Sequence, residues 1–182
     1  AFQAALNSRI YVDKTGLIAC MNNILDSTDA YICNSRPRRF GKSYAANMLA
    51  AYYSKGASSE EMFSKLDIGK TPDFKRHLNK YDVIHIDIQW FLTNCEDKDK
   101  VVGYITKVVL DELKDVYPDI LPSEVLSLPD ALSRVRNKTG RKFVIIIDEW
   151  DVLIRDEAAN KKVQDDYIRF LRSMFKGIEP TK

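Results

Sequence analysis

Tyr31-Ile32-Cys33-Asn34-Ser35-Arg36-Pro37-Arg38-Arg39-Phe40-Gly41-Lys42-Ser43 is the stretch on which the fold turns. It reads as a short apolar strand, a basic turn and the start of a helix. The turn formers Ser27-Thr28-Asp29 lead into the strand. The helix, Ser43–Ser54, carries Ala45, Met48, Leu49, Tyr52 and Tyr53 at helical spacing, one stripe for the core. Strand, turn and helix in this order are the setting in which G-x-x-x-x-G-K-[ST] cradles phosphates. Gly41, Lys42 and Ser43 match that pattern, whereas the first glycine position holds Arg36.

The chemistry explains which matches matter. A polyphosphate needs N–H groups converging at a helix N-terminus, where the macrodipole is positive. Gly41 lets the backbone approach without a Cβ. Lys42 then reaches the β and γ phosphates, and the Ser43 hydroxyl suits Mg²⁺. Pro37 replaces the entry glycine by fixing φ. The competing reading is a solvated basic loop of Arg36, Arg38, Arg39 and Lys42.

A second motif lies downstream. Val144-Ile145-Ile146-Ile147-Asp148-Glu149 is an apolar run ending in two acids, the Walker B arrangement. Such a strand delivers Asp148 beside the phosphate loop, where it holds Mg²⁺ together with Ser43. Glu149 then faces the γ-phosphate and is suited to orient and deprotonate a water. The expectation is that Lys42 and Asp148 meet around one anion-filled hollow. Taken alone, the run also reads as a core strand with a solvated acidic end. An adjacent glutamate favours a water-using ATPase over a small-molecule kinase. Asn137-Lys138-Thr139-Gly140 lacks the aspartate of a guanine-reading loop and precedes the Asp148 strand, so ATP is preferred over GTP.

Outward from these motifs the chain alternates. Helical spacing marks Thr15–Leu25, Lys98–Val116 and a stretch through Val163, Tyr167, Phe170, Leu171, Met174 and Phe175 that ends near Gly177. Ser58-x-x-Glu61 reads as a capping box for a helix to Leu66. Ser127-Leu128-Pro129 opens another helix that Gly140 stops. Val83–Ile88 and Phe143–Ile147 are strands, the latter apolar without alternation and so expected to be buried on both faces. Strands joined by helical crossovers imply a parallel sheet flanked by helices, with ligands at the carboxyl ends of the strands.

Composition narrows the classes. The 182 residues fit one domain, and 45% hydrophobic with 30% charged residues excludes a disordered chain. A net charge of +2 gives no charge argument for nucleic acid or an anionic membrane. No apolar run reaches the roughly 20 residues of a membrane helix. Cys20, Cys33 and Cys95 form no CxxC pair, which reads as a reducing cytoplasm. With His77 and His85 the only histidines, a zinc site is not expected. The first residue is Ala1 and the chain stops just after a good helix, so it is read as a fragment.

Tyr11-Val12-Asp13-Lys14-Thr15, Arg36-Pro37-Arg38-Arg39-Phe40-Gly41-Lys42-Ser43 and Ile147-Asp148-Glu149-Trp150-Asp151 together resemble the bacterial AAA-ATPase-like family. Phe63-Ser64-Lys65-Leu66-Asp67-Ile68 and Phe175-Lys176-Gly177-Ile178 extend the resemblance over most of the chain. Trp150 departs from it, since the family commonly has tyrosine there. The resemblance accounts for Arg36 in place of the first glycine. It implies a three-layer, additional-strand P-loop NTPase fold over residues 1–182, with Val83–Ile88 as the strand between the two motifs. The sensor strand is expected beyond Lys182, as is a C-terminal PD-(D/E)XK nuclease-like domain to which such ATPases are often fused. The chain is thus read as the N-terminal part of a longer ATPase module.

The site implied is ATP held by Arg38, Arg39, Phe40, Gly41, Lys42, Ser43 and Tyr44, with Mg²⁺ on Ser43 and Asp148 and catalysis by Lys42 and Glu149. Tyr11 and Val12, ahead of the loop, either line the adenine pocket or anchor the N-terminus. Arg38 and Arg39 either give plain electrostatic support or touch phosphate, nucleic acid or, as an arginine finger, a neighbouring subunit. His85 and Asp87 share one strand face, and Asp87 either assists the metal or bonds structurally. Trp90, Phe91, Tyr52 and Tyr53 read as core, and Asp151 as a cap for the turn after Walker B. Two rivals to the ATPase remain: a nucleotide-binding regulatory module that does not hydrolyse, and a nucleic-acid-binding domain using the basic loop. Nucleic acid and a second copy of the chain stay open as partners.

Overall fold

Helices separated by short strands run along the chain in this computed structural model, which describes residues 1–35, 40–124, 127–155 and 160–176. The chain divides into two compact units, the first ending at His85 and the second beginning at Ile86.

The first unit comprises α1 (Phe2–Leu6), α2 (Gly16–Asn22), α3 (Lys42–Tyr53), α4 (Glu60–Ser64), a 3₁₀ turn (Asp67–Lys70), α5 (Phe74–His77) and the first part of β1 (Asp82–Asp87). Its core is the stripe read from the sequence: Met48, Leu49, Tyr52 and Tyr53 of α3 are buried, joined by Ala46 in place of the expected Ala45. Phe63 of α4 packs edge-on to Tyr52, with ring centroids 5.3 Å apart, and stacks on Phe2 at 5.2 Å. The two buried tyrosines keep their hydroxyls satisfied, as they must. Tyr52 Oη donates to the Phe74 carbonyl at 2.6 Å, and Tyr53 Oη donates to Asn22 Oδ1 at 2.8 Å. Burial pushes both phenols above their ordinary pKa.

The C-terminal end of α3 is fastened by one residue. Asn79 Nδ2 lies 3.0–3.2 Å from the carbonyl oxygens of Ala51, Tyr52 and Ser54, groups a helix end would otherwise leave unpaired. Its own N–H donates to Tyr52 O at 2.7 Å, and Asn79 takes a left-handed φ of 54° to do so. A parallel bridge between Ser54 and Tyr81 completes the attachment.

The second unit continues β1 and adds α6 (Ile88–Asn94), a 3₁₀ turn (Lys98–Lys100), α7 (Val101–Val116), α8 (Leu128–Thr139), β2 (Phe143–Asp148), α9 (Val152–Arg155) and α10 (Lys161–Lys176). Val101, Ile105, Val109, Leu110 and Leu113 of α7 face the core with Leu128, Leu132 and Val135 of α8. From α10 come Val163, Tyr167, Phe170 and Met174. Pro129 stands in the first turn of α8, and Gly140 ends it with a φ of 69°, the left-handed conformation glycine adopts freely. The expected stop at Gly177 lies outside the described residues.

β1 and β2 form a parallel two-stranded sheet. Along β1 the faces alternate: Asp82, Ile84 and Ile86 are buried, whereas His85 and Asp87 share the exposed face, as their spacing predicts.

Four expectations need correction. Tyr31–Asn34 is not a strand but an exposed segment without regular secondary structure. A strand depends on its ladder, and among the described residues only β1 and β2 supply one to each other. β2 is buried at Phe143 and Asp148 but only half-buried between them, since burial on both faces needs further strands and helices around it. The capping box does not form: α4 begins at Glu60, and the hydroxyl of Ser59 before it donates to Ala51 O at 2.9 Å. Trp90 is half exposed, whereas Phe91, Tyr52 and Tyr53 are core as read.

Candidate functional site

The candidate phosphate loop belongs to the first unit. Arg36–Arg39 lie outside the described residues, so the site begins at Phe40. Gly41 is the N-cap of α3 and has φ 81° and ψ 31°, a left-handed conformation that costs a side-chain-bearing residue about 1–2 kcal/mol. As a glycine, the N-cap residue has no side chain with which to cap the helix. The first N–H groups of the twelve-residue helix have no intrahelical acceptor, as at any helix start. Ser43 and Tyr44 are exposed and Lys42 is half exposed, while the opposite face of α3 is core. The helix is thus anchored on one side and presents its positive end on the other.

The Tyr11–Thr15 segment braces this end. Asp13 Oδ1 accepts from the Thr15 N–H at 2.8 Å and from the Thr15 hydroxyl at 2.7 Å. Asp13 Oδ2 accepts from the N–H of Asp67 at 2.7 Å, and Thr15 Oγ1 accepts from the N–H of Ile68 at 3.1 Å. These bonds clasp the segment to the 3₁₀ turn over fifty residues away, and Thr15 is fully buried. Burial alone would push the Asp13 carboxyl up. The N–H groups of Thr15 and Asp67 and the Thr15 hydroxyl outweigh it, so Asp13 titrates below the ordinary aspartate value. Between the two clasping residues, Lys14 donates from Nζ to the Phe40 carbonyl at 3.1 Å. Sequence reasoning assigned Lys14 no role. An Asp-x-Thr turn is a recognisable local signal, but a contact across 26 positions has none.

Tyr11 is half-buried, its ring 6.3 Å edge-on from Phe2, and Val12 is 66% exposed. The edge contact anchors Tyr11 on α1, and Val12 stays open to solvent.

The candidate carboxylates belong to the second unit. β2 ends at Asp148, which is 8% exposed and accepts from the Glu149 N–H through Oδ1 at 3.0 Å. Glu149 has φ 51°, a left-handed conformation uncommon outside glycine. Such strain recurs at functional sites, where a required side chain outweighs its backbone cost. The turn that follows is held from two sides. Tyr167 of α10 donates its hydroxyl to the Trp150 carbonyl at 2.8 Å, and Gln164 Nε2 reaches the carbonyls of Leu153 and Ile154 at 3.4 and 3.2 Å. Arg155 Nε pairs with Asp151 at 2.6 Å, and its Nη2 lies 3.6 Å from Glu149 Oε2. Asp151 therefore serves the turn through Arg155. The Asp151–Arg155 pair has helical i, i+4 spacing and was readable in principle; the Arg155–Glu149 pair was not.

Asp87 acts structurally, as one of its two readings held. It N-caps α6 by accepting from the Trp90 N–H at 3.0 Å. Asn137–Thr139 form the last turn of α8 and not a nucleotide-reading loop. Among the described residues no cluster of three His, Cys, Asp or Glu side chains has a metal-binding arrangement. A hydroxyl such as that of Ser43 and a carboxylate such as that of Asp148 are hard oxygen donors, which suit Mg²⁺ when substrate phosphates supply the remaining ligands. Cys20, Cys33 and Cys95 are free thiols. Among the described residues no helix is long and apolar enough to cross a membrane.

Residues 3–182 match the family model described as predicted AAA-ATPase. The chain belongs to that family. The match spans both candidate groups and supports, at a coarse level, a nucleotide-binding ATPase. No curated protein and no solved structure matches the chain.

Proposed function

We propose that this family member binds ATP at the N-terminus of α3 and hydrolyses it with the two acids at the end of β2. The observation that carries this reading is the start of α3 at a left-handed Gly41 that has no side chain to cap it, followed directly by Lys42 and Ser43. On this reading residues 1–182 form one AAA-like P-loop module, with the sheet between helical layers. Turnover then works as a motor or switch for an attached nuclease-like domain.

The roles follow from the chemistry of each group. The N–H groups of α3 and the loop residues from Arg38 to Tyr44 cradle the phosphates, and Lys42 neutralises the terminal ones. Ser43 and Asp148 would hold Mg²⁺, which when bound draws charge from the phosphate oxygens. Tyr11 and Val12 flank the adenine. Glu149 accepts a proton from a water as its oxygen attacks the terminal phosphorus. The bond to the bridging oxygen breaks, and ADP and phosphate leave. Arg155, beside Glu149, steadies the carboxylate.

Calorimetry and phosphate-release assays test this. Lys42→Ala should abolish Mg²⁺–ATP binding. Glu149→Gln should keep it while lowering turnover on the order of 10²–10⁴-fold, the range for loss of a general base. Equal phosphate release by wild type and Glu149→Gln would sink the mechanism. Tight binding without turnover in the wild type would favour a regulatory module, and a preference for Mg²⁺–GTP would overturn the choice of nucleotide.

A further inference from the structure

We propose that Lys14 is a second phosphate-binding cation of the nucleotide site. The inference rests on Gly41-Lys42-Ser43 being the phosphate loop and extends it to a residue outside that motif.

Position comes first. Lys14 Nζ stands 3.1 Å from the Phe40 carbonyl and 3.1 Å from the point where a Cβ on Gly41 would sit. A side chain on Gly41 would crowd the ammonium, which would have to give way by a few tenths of an ångström. This gives the glycine a second purpose besides its left-handed φ.

Electrostatics comes next. A cation beside a helix N-terminus is unfavourable, because the helix already presents about half a positive charge there. A lysine in that place calls for a compensating anion. Among the described residues no carboxylate is ion-paired with Lys14. The nearest acid in sequence, Asp13, spends its oxygens on Thr15 and Asp67. An ammonium carries three donors, and among the described residues the Phe40 carbonyl is the one hydrogen-bond acceptor it meets. Two remain for the oxygens of a polyphosphate, which would supply the missing negative charge.

Preorganisation completes the case. Asp13 and Thr15, on either side, tie the backbone to the turn at Asp67 and Ile68, and the Lys14 carbonyl accepts from the Leu17 N–H at 3.0 Å. Only the aliphatic stem is left to order when a ligand arrives, so little entropy opposes the contact.

The test is Mg²⁺–ATP calorimetry on the full chain with Lys14→Met, Lys14→Gln, Lys14→Arg and Lys42→Ala, at low and moderate salt, with thermal melts in the absence of nucleotide. Lys14→Met and Lys14→Gln should each weaken binding about tenfold or more and flatten its salt dependence. Lys14→Arg should stay within about threefold of wild type, because it restores the charge. The nucleotide-free melts should coincide. Glutamine can still donate to the Phe40 carbonyl, so wild-type affinity in Lys14→Gln would reduce Lys14 to a clamp and overturn the proposal. Wild-type affinity in Lys14→Met with loss in Lys42→Ala overturns the Lys14 assignment alone. Equal binding by Lys42→Ala and wild type, or none by either, overturns the phosphate-loop reading and this inference with it.

Discussion

Two turns carry the candidate chemistry, and they solve the same backbone problem in opposite ways. Gly41 opens α3 with a φ of 81°, and Glu149 follows β2 with a φ of 51°. The first position is held by the residue for which that conformation is free. The second holds a carboxylate that must bear the strain. The first turn offers N–H groups and cations on an exposed surface; the second offers acids, with Asp148 buried. What differs is the purpose of the side chain. At Gly41 any side chain obstructs, whereas at Glu149 the side chain is the point.

The largest effect that could break this comparison comes from Gly41→Ala. Alanine in the left-handed region costs about 1–2 kcal/mol, and its Cβ would meet Lys14 Nζ at 3.1 Å. ATP affinity should fall about tenfold or more by calorimetry, and unchanged affinity would remove the close-approach argument. Glu149→Gly probes the opposite turn. It should relieve roughly 1 kcal/mol of backbone strain and raise the melting temperature while phosphate release stops. A glycine variant no more stable than Glu149→Ala would mean that the left-handed backbone is not strained.

Asp13→Asn should cost about 1 kcal/mol in denaturant unfolding at neutral pH, because a charged acceptor for three donors is lost. The carboxyl titrates below its ordinary value when folded, so its contribution is full above the unfolded value near 4 and disappears as pH falls through the folded value. The stability gap between wild type and Asp13→Asn should therefore close in acid; a gap that widened there would contradict the clasp. Arg155→Ala should be the smallest in stability, below about 1 kcal/mol, since both of its ion pairs are partly solvated. Its larger signature belongs in turnover, through the freedom given to Glu149.

The helices were legible because amphipathic spacing is a local property. Met48, Leu49, Tyr52 and Tyr53 are buried as their stripe demands, and Pro129 and Gly140 bracket α8 as punctuation residues do. The strand expected at Tyr31–Asn34 failed because extended chain is stabilised by neighbours that a short apolar run does not specify. The capping box at Ser58 failed because a hydroxyl takes whichever acceptor packing brings. Ser59 meets Ala51 and Asn79, which no four-residue motif encodes. At the site the sequence pointed to Gly41-Lys42-Ser43 and Asp148-Glu149. It was silent on Lys14 and on the grip of Tyr167 on Trp150, both made across long stretches of chain.

Asn79 carries a further consequence. By gathering three carbonyls at the tail of α3, a single amide opposes the fraying that helix ends ordinarily undergo. With its tail riveted in this way, the helix is built as a stiff spoke set in a hub. A pull exerted at the head is then transmitted along the axis into the tyrosine-rich interior of the first unit instead of being lost as local unwinding.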